Sequence, residues 1–213
     1  MTMQKFSQVS GTAAPMMKSN IDTDVIIPAK RLVGHEREEL AAFAFEALRY
    51  RPDGSDNPDF ILNKPRYRGA SILIAGENFG CGSSRESAVW AMAGFGFRCV
   101  IAPSFGDIFY NNAFQNGMLL IRLPKEQVER LAGELESGAA PSMAVDLQKQ
   151  VVTAPSGAKT RFEIDAERRQ ALLEGRDEIG MTLARDTDIR AFQDRDRVSR
   201  PWVYETSPQN KPA

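Results

Sequence analysis

The chain has 213 residues, 42% hydrophobic and 26% charged, enough for one globular domain with a real core or one domain plus a tail. Acids and bases are interspersed and the formal net charge is −1, so there is no electrostatic footprint for nucleic acid or an anionic membrane. The apolar runs are far too short to span a bilayer, and the N-terminal stretch lacks an apolar h-region, which predicts neither a membrane span nor a secretory signal.

The first eighteen residues are polar or mixed. Asn20-Ile21-Asp22-Thr23-Asp24 reads as a turn leading into the short run Val25-Ile26-Ile27, which Pro28 stops. A charged stretch occupies residues 30–39. Residues 40–50 then carry Leu40, Phe43, Ala44, Ala47 and Leu48 at helical spacing. Residues 51–65 are rich in Pro, Asp and Asn and read as a surface loop.

Strands and helices alternate through the centre. Residues 71–75 form an apolar strand, 76–84 a glycine-rich loop, and 85–93 a helix with Val89 and Met92 on one face. Residues 98–102 form the next strand, ended by Pro103. Ser104 is placed as the N-cap of a helix through Phe109 and Phe114 that Asn116-Gly117 closes. Residues 118–123 make a third strand, and Pro124 starts a charged amphipathic helix ending near Gly138. Strands separated by helices of this length imply parallel βαβ units and an α/β fold.

The end of the chain differs. Residues 143–153 alternate apolar and polar, and residues 160–164 are set to pair with them across Pro155-Ser156-Gly157. A helix over residues 166–174 ends at Gly175. From Arg185 onward charge density rises and apolar periodicity fades. Residues 1–190 are therefore expected to form the domain and residues 191–213 a loosely held C-terminal tail.

Cys81 and Cys99 are the only cysteines and His35 the only histidine. Two cysteines make neither a disulfide framework nor a zinc motif, and cannot alone ligate an iron–sulfur cubane. No metal site is expected in this chain, and the plain reading is a reduced, cytoplasmic protein.

The chemistry concentrates in Gly80-Cys81-Gly82-Ser83-Ser84-Arg85-Glu86. Glycines let the backbone approach a ligand closely. N–H groups at a helix start favour an anion, Ser83 and Ser84 add hydroxyls, and Arg85 adds a planar fork for a carboxylate. The competing reading is a capping box, Ser83-x-x-Glu86, which stabilises a helix start without any ligand. The loop lacks the Lys-Ser/Thr of a P-loop, the third glycine of a dinucleotide fingerprint and the Gly-x-Ser-x-Gly of a nucleophile elbow.

Asn78-Phe79-Gly80-Cys81-Gly82-Ser83-Ser84-Arg85-Glu86 resembles the signature of the swivelling domain of aconitase-type hydro-lyases. So do Asn20-Ile21-Asp22-Thr23-Asp24, Val100-Ile101-Ala102-Pro103-Ser104-Phe105 and Asp107-Ile108-Phe109-Tyr110-Asn111-Asn112. Asn57-Pro58-Asp59-Phe60 and Glu178-Ile179-Gly180-Met181 are similar to the bacterial isopropylmalate isomerase small subunits in particular.

The resemblance implies a swivelling β/β/α domain, with the central βαβ core and a C-terminal hairpin plus helix. It also implies a large-subunit partner carrying a [4Fe–4S] cluster, in a heterodimer or heterotetramer, with no cofactor in this chain. The implied reaction removes water from a small 2-hydroxy dicarboxylic acid and restores it at the neighbouring carbon, interconverting 2- and 3-isopropylmalate in leucine biosynthesis. Cluster iron would act as the Lewis acid on the substrate hydroxyl. Carried over by resemblance, Ser83 is the base, Arg85 binds a substrate carboxylate, and Ser84 supports either. Thr23 and Asp24 orient substrate or arginine, against the bland reading of an Asx-turn before a strand.

Two departures from the family pattern bear on the substrate. Ser87 stands where members usually carry histidine, and residues 30–39 replace a threonine–glycine-rich recognition loop. Leu32 and Val33 suit an isopropyl group; Lys30, Arg31 or His35 suit a more polar one. A solvated charged turn is the plain alternative. Three readings stay open from the residues: the isopropylmalate enzyme, a paralogue acting on citramalate/citraconate or dimethylmalate, and a non-enzymatic anion-binding regulatory module.

Overall fold

The centre of the sheet is a strand that the residue pattern does not announce. In the computed structural model, which describes residues 3–82, 85–138 and 140–204, β1 (Gln8–Met16) joins two halves. Its first half, through Thr12, pairs antiparallel with β5 (Ser142–Asp146); its second half, from Ala13, pairs parallel with β2 (Ile72–Ala75). With β3 (Cys99–Ala102), β4 (Leu119–Arg122), β6 (Val151–Thr153) and β7 (Lys159–Arg161), the order is β4-β3-β2-β1-β5-β6-β7. The polar and small residues of β1 hide it in the sequence. Ala13 and Ala14 are buried because neighbours cover them, and no local hydrophobic period reports that.

β2, β3 and β4 are the strands expected from their apolar runs, and all but Arg122 of their residues are buried. Burial on both faces is the condition of parallel strands under crossover helices. One face presents Ala14, Met16, Leu73, Ala75, Val100, Ala102 and Leu120 to the main core. Ala88, Val89, Ala91 and Met92 of α3 (Ser87–Phe95) share that core. α4 (Asp107–Gln115) connects β3 to β4. α5 (Lys125–Ser137) follows β4 and packs across β1, β2 and β3 on the opposite face. It buries Val128, Leu131, Ala132 and Leu135, one helical stripe, each Val or Leu contributing about 2 kcal/mol. The α/β class, the βαβ core and the C-terminal hairpin β6–β7 followed by α6 (Ala166–Glu174) are as expected.

Four local expectations need correction. The turn at residues 20–24 runs into a one-turn helix, α1 (Thr23–Ile26), instead of an extended apolar run; Asp22 caps it by accepting from the Val25 N–H at 2.7 Å. Residues 40–50 do not form one helix. A 3-10 helix, Arg37–Phe43, stops, Phe45 takes a left-handed φ of 56°, and α2 (Glu46–Arg49) restarts. Phe45 donates its N–H to the Ile26 carbonyl at 2.8 Å and buries its ring fully, which outweighs a backbone strain of roughly 1 kcal/mol.

Residues 143–153 divide into β5 and β6 around a tight turn where Gln150 has φ 53°. Ser104 does not cap α4, whose N-cap is Gly106 without a side-chain bond. Its hydroxyl instead accepts from the Asn78 N–H at 2.8 Å.

The chain divides into two compact units between Gly175 and Arg176. The second contains α7 (Glu178–Leu183), α8 (Asp186–Ser199) and the 3-10 turn Pro201–Val203. α8 runs across the position where the sequence suggests that a tail begins. Polar interactions sustain it without an apolar stripe. Arg190 pairs with Asp186 one turn away at 2.7 Å, and Asp196 accepts from Arg200 Nε at 2.6 Å and the Tyr204 hydroxyl at 2.9 Å. No described helix is long and apolar enough to cross a membrane.

Candidate active site

β1, β2 and β3 are parallel, so the segments leaving them emerge at one edge of the sheet, the edge where open α/β sheets hold ligands. There the loop after β2 threads between the other two. The Asn20 N–H donates to Glu77 O at 2.8 Å, the Gly80 N–H to Ile21 O at 2.7 Å, and the Thr23 N–H to Cys81 O at 3.0 Å. On the other side the Phe79 N–H donates to Ser104 O at 3.1 Å and the Gly106 N–H to Phe79 O at 2.9 Å. Asn20 and Asn78, both left-handed at φ 56°, add a side-chain bond of 2.8 Å between their amides.

Gly80 is fixed by two independent demands. Its φ is +73°, and a Cβ there would lie 2.3 Å from Cγ of the buried Phe109 ring. The loop is therefore held close against α4, with Cys81 half-buried and Gly82 exposed beyond it. Ser83 and Ser84 lie outside the described residues.

Arg85 resumes the described chain and meets α1. Its Nη2 lies 2.8 Å from Asp24 Oδ1, with the Arg85 side chain 23% exposed. The same Asp24 oxygen accepts the Ala29 N–H at 3.0 Å. Asp24 thus joins the glycine-rich loop to the start of the charged segment 30–39. The bond from Arg85, then that from Ala29, holds the Asp24 carboxyl below its ordinary range, against a smaller opposing effect of burial. Thr23 is buried and packs near Gly82, whose Cβ would stand 3.9 Å from Thr23 Oγ1.

The structure therefore brings together Thr23, Asp24, Gly80, Cys81, Gly82 and Arg85 from segments far apart in sequence. Asp24, which the Asx-turn reading treats as local, makes a nonlocal ion pair with Arg85; the cap belongs to Asp22.

Residues 30–35 are arranged differently from one another. Lys30 Nζ and Arg31 Nε lie 3.1 and 2.8 Å from the two carboxylate oxygens of Glu46. Burial pushes the Glu46 carboxyl up, but the two cations together outweigh it and hold it below its ordinary range. Arg31 also stacks over Phe43 at 4.5 Å, and the His35 ring meets Phe43 edge-on at 4.6 Å. Leu32 packs on the main core. Val33 alone of these is an exposed apolar side chain, at 82%. The Glu46 clamp has no local sequence signal, since its partners lie fifteen or more residues upstream.

The Ser83 half of the expected capping box lies outside the described residues. α3 begins at Ser87 with Glu86 as its N-cap, and Glu86 makes no side-chain cap bond. Its Oε1 accepts instead from Asn116 Nδ2 at 2.6 Å and Trp90 Nε1 at 3.3 Å. Ser87 opens the helix, is buried, and its hydroxyl finds no hydrogen-bond partner among the described residues.

Open clefts lie among the described residues. One, of about 640 Å³, is lined by Tyr110, Arg122, Glu163 and Arg168 among others; a second, of about 440 Å³, lies between Gly76 and α5. Neither is lined by Thr23, Asp24 or Arg85. Among the described residues no group of three His, Cys, Asp or Glu side chains is placed to hold a metal ion. The thiols do not fit an iron–sulfur cluster: Cys99 is fully buried within β3, which leaves Cys81 as the one thiol at the site edge.

Residues 3–126 match the family model of the aconitase C-terminal domain, and residues 129–166 match that described as LeuD_N. Residues 178–206 match the model of the C-terminal domain of 3-isopropylmalate dehydratase small subunits. The 3-isopropylmalate dehydratase small subunit of Afipia carboxidovorans is 51% identical over 94% of this chain and 100% of its own length. The chain belongs to the 3-isopropylmalate dehydratase small-subunit family. The small subunit of Jannaschia sp. is 52% identical over the same shares. The crystal structure of 3-isopropylmalate dehydratase from Methanocaldococcus jannaschii superposes with a TM-score of 0.62 at 28% identity, covering 87% of this chain and 99% of that one. Small-subunit membership implies a large-subunit partner and places the sheet-edge residues in a hydro-lyase component.

Proposed function

We propose that this chain supplies the substrate-carboxylate and base half of a cytoplasmic 3-isopropylmalate dehydratase of leucine biosynthesis, whose [4Fe–4S] cluster sits on the large subunit. The observation that carries the reading is Arg85, held by Asp24 at the sheet edge directly after Ser83-Ser84. A guanidinium carries several N–H donors in one rigid plane. Holding Nη2 on Asp24 therefore orients the whole fork for the charge-assisted bonds that a carboxylate of the 2-hydroxy acid requires.

Ser83 is the base for the carbon-bound proton next to that carboxylate, and Ser84 supports its alkoxide. A serine hydroxyl ionises to a usable alkoxide only where fixed dipoles stabilise the oxyanion, and the glycine-rich loop ahead of the helix is suited to supply them. Thr23 and Asp24 orient the arginine and substrate. Lys30 and Arg31 are both engaged by the Glu46 carboxylate and Leu32 is packed away, so Val33 is the side chain of this segment suited to an isopropyl group. The exposed Val33 supports an apolar side group on the substrate, as in isopropylmalate.

The test is to assemble the chain with an iron–sulfur large subunit and follow isomerisation of isopropylmalate, citraconate hydration and dimethylmaleate hydration. Isopropylmalate should be preferred, and Ser83→Ala should abolish turnover while the complex still forms. A fully active Ser83→Ala complex removes Ser83 as the base; a clear preference for citraconate or dimethylmaleate removes the substrate assignment.

A further inference from the structure

Arg85 is constrained at its guanidinium by Asp24 and at its backbone by the residue that follows it. That residue, Glu86, stands at the N-cap of α3, where a carboxylate ordinarily bonds the free N–H groups of the helix. Here it is turned away. Glu86 Oε1 accepts from Asn116 Nδ2 at 2.6 Å, and Asn116 is the C-cap residue of α4. Trp90 Nε1, one turn along α3, donates to the same Glu86 oxygen at 3.3 Å and to Asn116 Oδ1 at 3.0 Å.

A fourth side chain closes the network. Arg37 Nη2 donates to Asn116 Oδ1 at 2.8 Å, and its guanidinium lies over the Trp90 ring at 4.9 Å. Arg37 falls within residues 30–39, the segment proposed to recognise the substrate side group, and opens the 3-10 helix Arg37–Phe43 that packs against α3. Asn116 therefore bonds both the residue adjoining Arg85 and a residue of the recognition segment. Its amide has no rotational alternative that satisfies all partners, because Nδ2 faces the acceptors Glu86 and Asn112 O while Oδ1 faces the donors Arg37 and Trp90.

We propose that Asn116 and Glu86 are positioning residues for Arg85, and that Arg37 couples the recognition segment to the same clamp. The inference rests on the proposed binding of a substrate carboxylate by Arg85. Shifting the peptide that carries Arg85 weakens a contact made equally in the bound substrate and in the transition state, which raises KM and leaves kcat nearly unchanged.

The experiment uses the complete complex with its large subunit and isopropylmalate as substrate. Asn116→Asp sets two carboxylate groups against each other, so KM should rise about tenfold with kcat within about twofold. Adding Glu86→Gln restores one donor and one acceptor across the pair, and KM should return to within about threefold of the native value. Arg37→Ala, at an exposed position, should raise KM about threefold and leave assembly intact.

If Asn116→Asp prevents assembly, Arg37→Ala decides the matter, since an unchanged KM there overturns the proposal. It is equally overturned if Asn116→Asp lowers only thermal stability, or if Glu86→Gln fails to restore KM. A native complex inert towards isopropylmalate overturns the proposed function itself; an active native complex with variants of native KM overturns only the positioning role.

Discussion

The two halves of the sheet share β1 and treat their loops in opposite ways. In the parallel half, the loops leaving β1, β2 and β3 are bonded to one another and pressed against α4, so that Gly80 leaves no room for a methyl group beside Phe109. In the antiparallel half, β6 and β7 are joined by an open turn in which Gly157, also left-handed at φ 84°, has nothing within 4 Å of an added Cβ. The same residue type in the same backbone region serves close packing in one place and turn geometry in the other. Close approach of the backbone gathers at the candidate site, whereas the hairpin half, although it strains Gln150 at φ 53°, leaves its turn glycine in open space.

The largest expected effect tests this contrast directly. Gly80→Ala should cost about 3 kcal/mol or more, since steric overlap adds to backbone strain. Gly157→Ala should cost only about 1 kcal/mol, from strain alone. Urea unfolding of both variants measures the difference, and equal losses would break the comparison.

Next in size is the functional contrast. Arg85→Lys loses the bidentate fork and should lower kcat/KM of the assembled complex about a hundredfold. Lys159→Ala on the exposed strand β7 should change it less than about twofold. Comparable losses would mean that charge in general, not the geometry at the sheet edge, governs activity.

The thiols sharpen the picture within the parallel half. Burial pushes the Cys99 thiol well up, so it should resist alkylation until the protein unfolds. Cys81, half-buried in the loop, should be labelled first in the native state. Peptide mapping after a brief iodoacetamide pulse distinguishes the two, and labelling of Cys99 at the rate of Cys81 would contradict a closed sheet face.

The smallest effect concerns acid stability. Asp24 is held down by Arg85 and the Ala29 N–H, and Asp146 by the Lys149 backbone N–H and then its ammonium. A depressed carboxyl contributes stability that is present above its unfolded pKa and lost as pH falls through the folded value. Asp24 is largely exposed and Asp146 is paired at the surface with an exposed lysine, so Asp24→Asn and Asp146→Asn should each flatten the acid limb of the stability–pH curve only slightly. Only Asp24→Asn should also raise KM. An equal rise in Asp146→Asn would remove the distinction between the halves.

Legibility follows the range of the interactions. β2, β3, β4 and α5 are readable because apolar runs and a helical stripe report burial within a few residues. Residues 40–50 mislead because their apolar spacing is helical, while a buried ring and a bond from Phe45 to Ile26 break the helix. Ser104 carries a cap residue's chemistry and gives its oxygen to Asn78, twenty-six residues away. At the site, the glycine loop and Arg85 stand out by type and spacing, but nothing local marks Asn116 or Glu46 as partners of the site segments.

Residue type and short-range period are enough to establish the α/β alternation and the resemblance to a hydro-lyase small subunit, and to single out the Gly80-to-Arg85 stretch as the candidate site. They suffice because both encode burial and charge within a few residues. Three features come only from the folded arrangement: β1 as the central strand, the pairing of Asp24 with Arg85, and the turning of Glu86 from its helix to Asn116. Each depends on which distant segments share a sheet edge. A backbone or carboxylate group takes the partner that packing leaves within about 3 Å rather than the one nearest in sequence.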